Sequence, residues 1–527
     1  MAIIKLKPGC DDLKAHREAA AVMRAEPDSR LIISPGEYIL HDRDAAKLRS
    51  DVMTGKLGAN PEGIMFRPDF KYSIGVDFTG IKGTTVIGDG ARILTDSFME
   101  TFSLNECSDI TIRGLEFDLT RRAFTICKII SADSDHTVVK VDQWDEFINP
   151  SMPASRIIIS DPETGRICRI GSVSDIPEKG VLVMNTSVGE EFVGYNFIIV
   201  HGFHFRPMIL IHRAENITLE GITIYSNCGM GIVGHRSRNI YMYGMKIIPA
   251  GELGKGLPST NTDATHFTSC EGVIDFENCV FEGSGDDCTN VHTYYQKISD
   301  IKGNTCICSI TAPTGTHCQK PDVPDPGDIL EYMSPIDLCP VDTYRVVSSR
   351  ELDGNFRCEL TLDRPLPEIA DGDYLLNITK MPSLIFHGCR CRNHLARSVL
   401  VKTRNILIED CLFEGSTGTA VHIGAEGFWQ EGGGVENVTV RGNIMLGCGE
   451  QGHGRIKDTS GVCVTVDAPN PDKPIHRNIT IEDNLIEYKA SSRAIYASNT
   501  DGISVCGNHG ALFEYDGGSC LNVRKND

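Results

Sequence analysis

The chain has 527 residues, of which 41% are apolar and 23% charged, with 51 Lys and Arg against 71 Asp and Glu for a formal net charge of −20. That composition excludes disorder and collagen. No stretch approaches the roughly 18 consecutive apolar residues of a membrane span, and the acidic balance argues against a nucleic-acid partner. It argues mildly against a strongly acidic polysaccharide and leaves a neutral sugar open.

The predicted elements start with a helix. Asp11 and Asp12 form an N-cap pair ahead of LKAHREAAAVMRAE, and Pro27 stops the run. RLIISPGEYIL follows as strand, Pro-Gly turn and strand. A helix and short strands at this place suit a cap over the open end of a β-solenoid, whose terminal rung has no partner.

Beyond it a short phrase recurs: SDITIRGLEFD, ENITLEGITIYSN, RNIYMYGMKI, EGVIDFENCVFEG, RNILIEDCLFEG, ENVTVRGNIML and RNITIEDNLIEY. Each copy is a polar corner, a short alternating strand, a tight turn and a second strand. Asn216 to Asn239 spans 23 residues and Asn405 to Asn437 spans 32, which fits one phrase per coil of a right-handed parallel β-helix better than the even period of a propeller. Three of the four Asn-x-Thr triplets, at Asn216, Asn437 and Asn478, read as coil corners rather than glycosylation sites; the fourth is at Asn377.

Two stretches break the repeat, 118–205 and 294–382. Both carry hairpin patterns such as KIISADSDHTVVKV and YRVVSSRELDGNFRCELTL. The expected organisation is all-β: a cap and first coils over 1–117, an inserted antiparallel β-barrel over 118–205 and coils over 206–293. A second inserted β-barrel covers 294–382 and C-terminal coils cover 383–527.

Twenty cysteines are scattered along the chain, with C-x-C at Cys306 and Cys389 but no C-x-x-C. Small thiols packed in strands explain them better than zinc. We expect no metal and no cofactor. The N-terminal MAIIKLKPGCDD has no apolar h-region, so a reduced, cytoplasmic protein is expected. No membrane partner is expected; the oligomeric state is not readable, and a homo-oligomer is compatible with the sequence.

The chemistry concentrates in STNTDATHFTSCEGVIDFENCVFEGSGDDCTNVHTYY, which begins at Ser259. Asp263 and Asp286 are 23 residues apart, about one coil, so stacking brings Asp263, Asp286 and Asp287 onto one wall. Crowded carboxylates raise at least one pKa, and glycoside hydrolysis needs one protonated and one ionised carboxyl. His266, Asn290 and His292 flank them and suit a sugar's hydroxyls. Strict alternation puts Asp263 on the face of Phe267, so Asp263 must sit at a strand edge or past a kink. Trp429 and Glu431 in GAEGFWQEGGG, and His235 and Arg236 one coil before Asp263, are further candidates for the substrate pocket.

DATHFTSCEG followed by IDFENCVFEGSGDDCTNVH resembles the active-site stretch of glycoside hydrolase family 110, the α-1,3-galactosidases. GMGIVGHRSRNI, CRNHLARSVLVKTRNILIEDCLFEG and FWQEGGGVENVTVRGN extend the resemblance over most of the chain, while Thr293 stands where that family usually has Gly. The resemblance implies a β-helix carrying two β-barrel modules and removal of terminal α-1,3-linked galactose with inversion. It implies Asp286 as general acid and Asp263 or Asp287 as base. The substrate would be a galactose-terminated oligosaccharide, of blood-group-B or linear α-Gal type. An acid–base separation of about 6.5–9.5 Å is expected for inversion. Asn261-Thr262-Asp263 and Gly285-Asp286-Asp287 also resemble the polygalacturonases, whose uronate-holding Arg-x-Lys would have to be the distant GHGRIK. A non-catalytic carbohydrate-binding β-helix is the alternative from another class.

Overall fold

A computed structural model describes the chain except for residues 1, 66, 68, 162–164, 170, 203, 252–255, 312–320, 353–355, 368–369, 450–458, 489–491, 511 and 527. It is a right-handed parallel β-helix with two antiparallel insertions and a helical cap. Helix α1, Asp12–Ala25, starts where the Asp11 side chain accepts from the Lys14 N–H at 3.0 Å. Its apolar stripe, Leu13, Ala19, Ala20 and Met23, is buried in the main core. A second cap helix, α2, Arg43–Met53, was not expected. Asp42 caps it by accepting from the Asp44 and Ala45 N–H groups. Its charged surface hid a stripe of only three buried residues, Ala45, Val52 and Met53.

The recurring phrase is the coil. On one face the strands Glu215–Glu220, Arg238–Tyr243, Glu271–Glu277, Ser383–His387, Arg404–Glu409, Glu436–Arg441, His476–Glu482 and Thr500–Cys506 pair in parallel, each with the next. The register stacks Ile217, Ile240, Ile274, Leu384, Ile406, Val438, Ile479 and Ile503 in one buried column. Asn216, Asn239, Asn405, Asn437 and Asn478 turn the corners with φ between 54° and 60°. Asn tolerates that left-handed conformation better than most side chains. Their amides hydrogen-bond from coil to coil: Asn239 donates to Asn216 at 2.9 Å, Asn437 to Asn405 at 3.0 Å and Asn478 to Asn437 at 3.2 Å. The recurrent Asn-x-Thr is therefore a ladder of corners. Asn377 instead caps the short 3₁₀ turn Ile378–Lys380.

Residues between Leu119 and Ile209 leave the helix and form a seven-stranded antiparallel sheet around Ile157, Ile159, Leu182, Phe197 and Ile199. The strand Thr289–Lys302 starts on the helix wall and runs on into the second insertion. There it pairs in a closed antiparallel ring with Thr305–Ser309, Arg357–Leu362, Pro340–Leu352, Ile329–Met333 and Tyr374–Asn377. Arg236 holds this barrel: its guanidinium donates to Asp322 at 2.8 Å and Asp325 at 2.6 Å. Cys306, Cys308 and Cys391 are buried thiols in strands, and Cys389 is a buried thiol in the turn between two strands. Among the described residues no helix is long and apolar enough to cross a membrane.

Candidate active site

A second wall of the helix carries the acids. Its strands Ile232–His235, Thr265–Thr268, Thr289–Lys302, Val399–Val401 and Val421–Glu426 stack in parallel, pairing Val233 with His266, His266 with Asn290, and Asn290 with Leu400. Phe267 and Val291 point into the core between them. Asp263 lies in the turn ahead of its strand, so the alternation rule never applied to it. One coil on, the Ala264 N–H donates to the Asp287 carbonyl at 2.9 Å.

The turn geometry is fixed from both sides. The Thr262 hydroxyl accepts from the Asp263 N–H at 2.6 Å, and the Asn261 amide donates to the Ala123 and Gly202 carbonyls at the two ends of the first insertion. The Gly285 N–H donates to the Thr260 and Thr262 carbonyls at 3.0 Å. A Cβ on Gly285 would stand 2.2 Å from the Asn261 carbonyl oxygen, so only glycine allows the two turns to nest.

Asp263, Asp286 and Asp287 do converge: one oxygen from each lies within 4.8 Å of the others. That is tighter than the 6.5–9.5 Å expected between acid and base, and the expectation is corrected on this point. Asp263 and Asp287 are buried, while the Asp286 side chain is 20% exposed. Asp287 accepts from the Arg397 Nε at 2.8 Å, its Nη2 at 2.7 Å and its main-chain N–H at 2.7 Å. Asp286 faces the Arg156 Nη2 at 3.4 Å, and Arg156 also donates to the Gly285 carbonyl. Burial, together with the Asp286 and Asp287 charges, pushes the Asp263 carboxyl well above the usual carboxylate range.

Next to the acids lies a buried polar patch. Asp263 Oδ2 is 2.5 Å from His266 Nδ1, and His266 Nε2 is 2.9 Å from His292 Nε2. The Asn290 amide donates to Glu431 at 3.0 Å, and Lys402 donates to Glu431 at 2.6 Å and pairs with Glu426 at 2.7 Å. Burial would raise Glu426, but Lys402 and Arg397 hold it at about 2. Burial pulls His266 to about 4 and His292 to about 3. His266, His292 and Glu431 have ligand atoms close enough to share an ion; Asn290 and Lys402 both donate to the Oε2 of Glu431, and its Oε1 lies 3.7 Å from His292 Nε2.

His235 and Arg236 lie apart from this cluster. His235 is buried, hydrogen-bonded to the Thr268 hydroxyl at 2.6 Å and stacked on His212. The Arg236 guanidinium is committed to the second barrel and only 1% exposed, which corrects its expected place in the pocket. Trp429 is half-buried, with its ring edge-on to Phe428. GHGRIK falls outside the described residues. Sequence reasoning missed Arg397, Lys402, Glu426 and Arg156. The first two lie in CRNHLARSVLVKTRN, and only the coil register shows Arg397 falling one coil beyond Asp287.

No family model matches the chain. It is 23% identical over 93% of its length to α-1,3-galactosidase B of Bacteroides thetaiotaomicron, covering 82% of that protein. It is 22% identical over 94% to α-1,3-galactosidase A of Streptomyces avermitilis, covering 86% of it. A 282-residue stretch, 53% of this chain and 45% of the relative, is 32% identical to α-1,3-galactosidase A of Akkermansia muciniphila. Among solved structures it is similar to a polygalacturonase from Erwinia carotovora, with TM-score 0.41, 9% identity and coverage of 100% and 96% of the two chains. The A-module of a mannuronan C-5 epimerase from Azotobacter vinelandii gives TM-score 0.40, 10% identity and coverage of 100% and 98%. By sequence the chain is thus similar, nearly end to end, to proteins named α-1,3-galactosidases.

Proposed function

We propose that the protein is an exo-acting glycoside hydrolase that releases terminal α-1,3-linked galactose from oligosaccharides with inversion. The observation that carries this reading is the carboxylate trio: three acids from adjacent coils, with two guanidiniums, Arg397 and Arg156, against three carboxyls. One carboxyl stays neutral to protonate the leaving oxygen, and an ionised one activates water. The names of the relatives supply the sugar and the linkage. Asn290 and Glu431 would meet the galactose hydroxyls, and Trp429 its apolar face.

The short spacing does not argue for retention here. The distance rule assumes an acid and a base on opposite faces of the sugar. Acids on adjacent coils are held near the roughly 4.8 Å strand spacing whatever the sugar needs. Both then work from one wall, with water beside the base rather than between the two carboxyls.

The test is incubation with an α-1,3-galactosyl disaccharide and, separately, with oligogalacturonate. Free galactose from the first alone is expected, with the β-anomer forming first by NMR. Cleavage of oligogalacturonate would favour the polygalacturonase reading. Release from neither would mean a binding module, and first-formed α-galactose would refute inversion.

A further inference from the structure

Arg156 reaches the acids from outside the repeat. It opens the strand Arg156–Asp161 of the first insertion, where it lies opposite Val200. Its Nη1 donates to the Gly285 carbonyl, and its Nη2 faces Asp286 Oδ2 at 3.4 Å. The guanidinium therefore grips the turn at the main chain of Gly285 and at the carboxyl of Asp286. An apolar joint holds it there. Phe124, Ile158, Ile198 and Val200 of the insertion pack with Leu257 and Leu395 of the coils, each at most 5% exposed. Side chains alternate along a strand, so Ile158 shares the face of Arg156 and seats it against the coil.

The acids are not equally compensated. Asp287 takes the Arg397 Nε and Nη2 at 2.8 and 2.7 Å, and its side chain is 3% exposed. Asp286 faces the Arg156 Nη2 at 3.4 Å, and its side chain is 20% exposed. Among the described residues, the other charged or titratable groups near Asp286 are Asp263 and Asp287, each with an oxygen within 4.8 Å, and Arg397 and His266. The two carboxyls oppose its ionisation and the guanidiniums favour it. Of these groups only Arg156 comes from outside the coils.

We propose that Arg156 is a positioning residue that sets the strength of Asp286 as proton donor, and that the first insertion is thereby a working part of the active site. This rests on the glycosidase reading with Asp286 as its acid, and goes beyond it. A general acid works best when its proton affinity matches the working pH. Crowded carboxyls alone hold the proton too tightly, and a guanidinium at this distance offsets part of that. An opposite charge so close typically lowers a carboxyl by about one to three pH units. The partial exposure of both side chains puts Arg156 at the lower end, about one.

In the reaction the glycosidic C–O bond breaks with its electron pair going to the leaving oxygen, which takes the Asp286 proton. Water adds its oxygen to the anomeric carbon and gives a proton to the ionised base, Asp263 or Asp287. One water is consumed, and solvent returns both carboxyls to their starting states. Arg156 takes no part in these bonds; it fixes how readily the first proton leaves.

The effect on Asp286 can be read without substrate. Carbon-13 NMR titration of labelled aspartates, with the Asp286 signal assigned by its loss in Asp286→Asn, should place the midpoint about one pH unit higher in Arg156→Met than in wild type, a tenfold gain in proton affinity. Arg156→Lys restores the charge and should reverse at least half of that step. An unmoved or lowered midpoint in Arg156→Met overturns the proposal. In kinetics, the basic limb of kcat/KM should move up by the same amount. With the proton about half transferred in the transition state, a tenfold weaker acid should slow kcat on an α-1,3-galactosyl disaccharide about threefold. The loss should be smaller on an aryl α-galactoside with an activated leaving group, which needs the proton less. Equal losses on both substrates with the limb unmoved mean a scaffold role, and a rise in KM alone means a substrate contact; either overturns the proposal. If the wild type cleaves neither substrate the glycosidase reading fails, and the titration still decides whether Arg156 sets the proton affinity of Asp286.

Discussion

Replacing Arg397 by Met tests whether the guanidinium organises the acids or merely lies near them. The side chain is 9% exposed and donates to both Asp287 oxygens at 2.8 and 2.7 Å and to Glu426 at 3.3 Å. Met fills much of the volume and offers no donor. Asp287 keeps the hydrogen bond from the main-chain N–H of residue 397, and Glu426 keeps Lys402 at 2.7 Å. Breaking a buried pair from one side typically costs about 3–5 kcal/mol. The partners that remain put Arg397→Met near the lower end, about 3 kcal/mol. Asp287→Asn in the same background removes the stranded charge, so the double variant should recover at least about 1 kcal/mol through coupling of the two sites. Urea unfolding followed by tryptophan fluorescence is a suitable assay, since Trp144 reports on the first insertion and Trp429 on the loop of Glu431. An Arg397→Met cost within about 0.5 kcal/mol of zero, the scale of an exposed pair, would refute the reasoning. So would strictly additive single and double variants.

Gly285→Ala should lower kcat/KM about 100-fold, because its Cβ would meet the Asn261 carbonyl oxygen at 2.2 Å and displace the neighbouring acids. Gly517→Ala, with nothing within 4 Å, is the control and should leave activity unchanged. Acid should destabilise the fold early. Burial pulls His201, His292 and His422 to about 3 and His235, His266 and His476 to about 4. The unfolded chain takes up those protons from about pH 6.5 downward, so stability is full above 6.5 and lost as pH falls towards 4. Each of these histidines adds up to about 1.4 kcal/mol per pH unit in that window. Urea midpoints that stay flat between pH 6.5 and 4.5 would contradict this. Arg236→Met should leave Asp322 buried without its guanidinium and cost about 3–5 kcal/mol, read as earlier proteolysis within 294–382; wild-type resistance would refute it.

The coils could be read from sequence because every one repeats the same local problem: an Asn or Gly corner, an inward apolar column and a short strand. The first helix was readable from its Asp cap, and α2 was not, since three buried residues leave little pattern. The meeting of Asp263 with Asp286 and Asp287 followed from one coil spacing with no insertion between them. Arg397 and Lys402 escaped because 110 residues separate Asp287 from Arg397 along the chain, and no period spans a barrel. Arg156 escaped for a related reason: it sits on a strand of the other insertion, whose orientation against the helix no local pattern encodes. Arg236 was misjudged because a corner residue beside a Gly-rich turn looks solvated until the second barrel covers it.

The two insertions also explain how a solenoid builds a site from distant residues. The second barrel leaves from the coil that carries the acids, yet the stack closes beneath it as though nothing intervened: Glu271–Glu277 pairs with Ser383–His387, and Thr289 pairs with Val399. Register is enforced by the buried columns, since a one-residue slip would turn apolar side chains outward along the whole strand. The chain can therefore leave for a barrel and return without moving Arg397 off Asp287. The first insertion works from outside the stack, delivering Arg156 to Asp286 while the Asn261 amide ties its two ends to the turn that carries Asp263. One guanidinium thus comes from the repeat and one from an insertion.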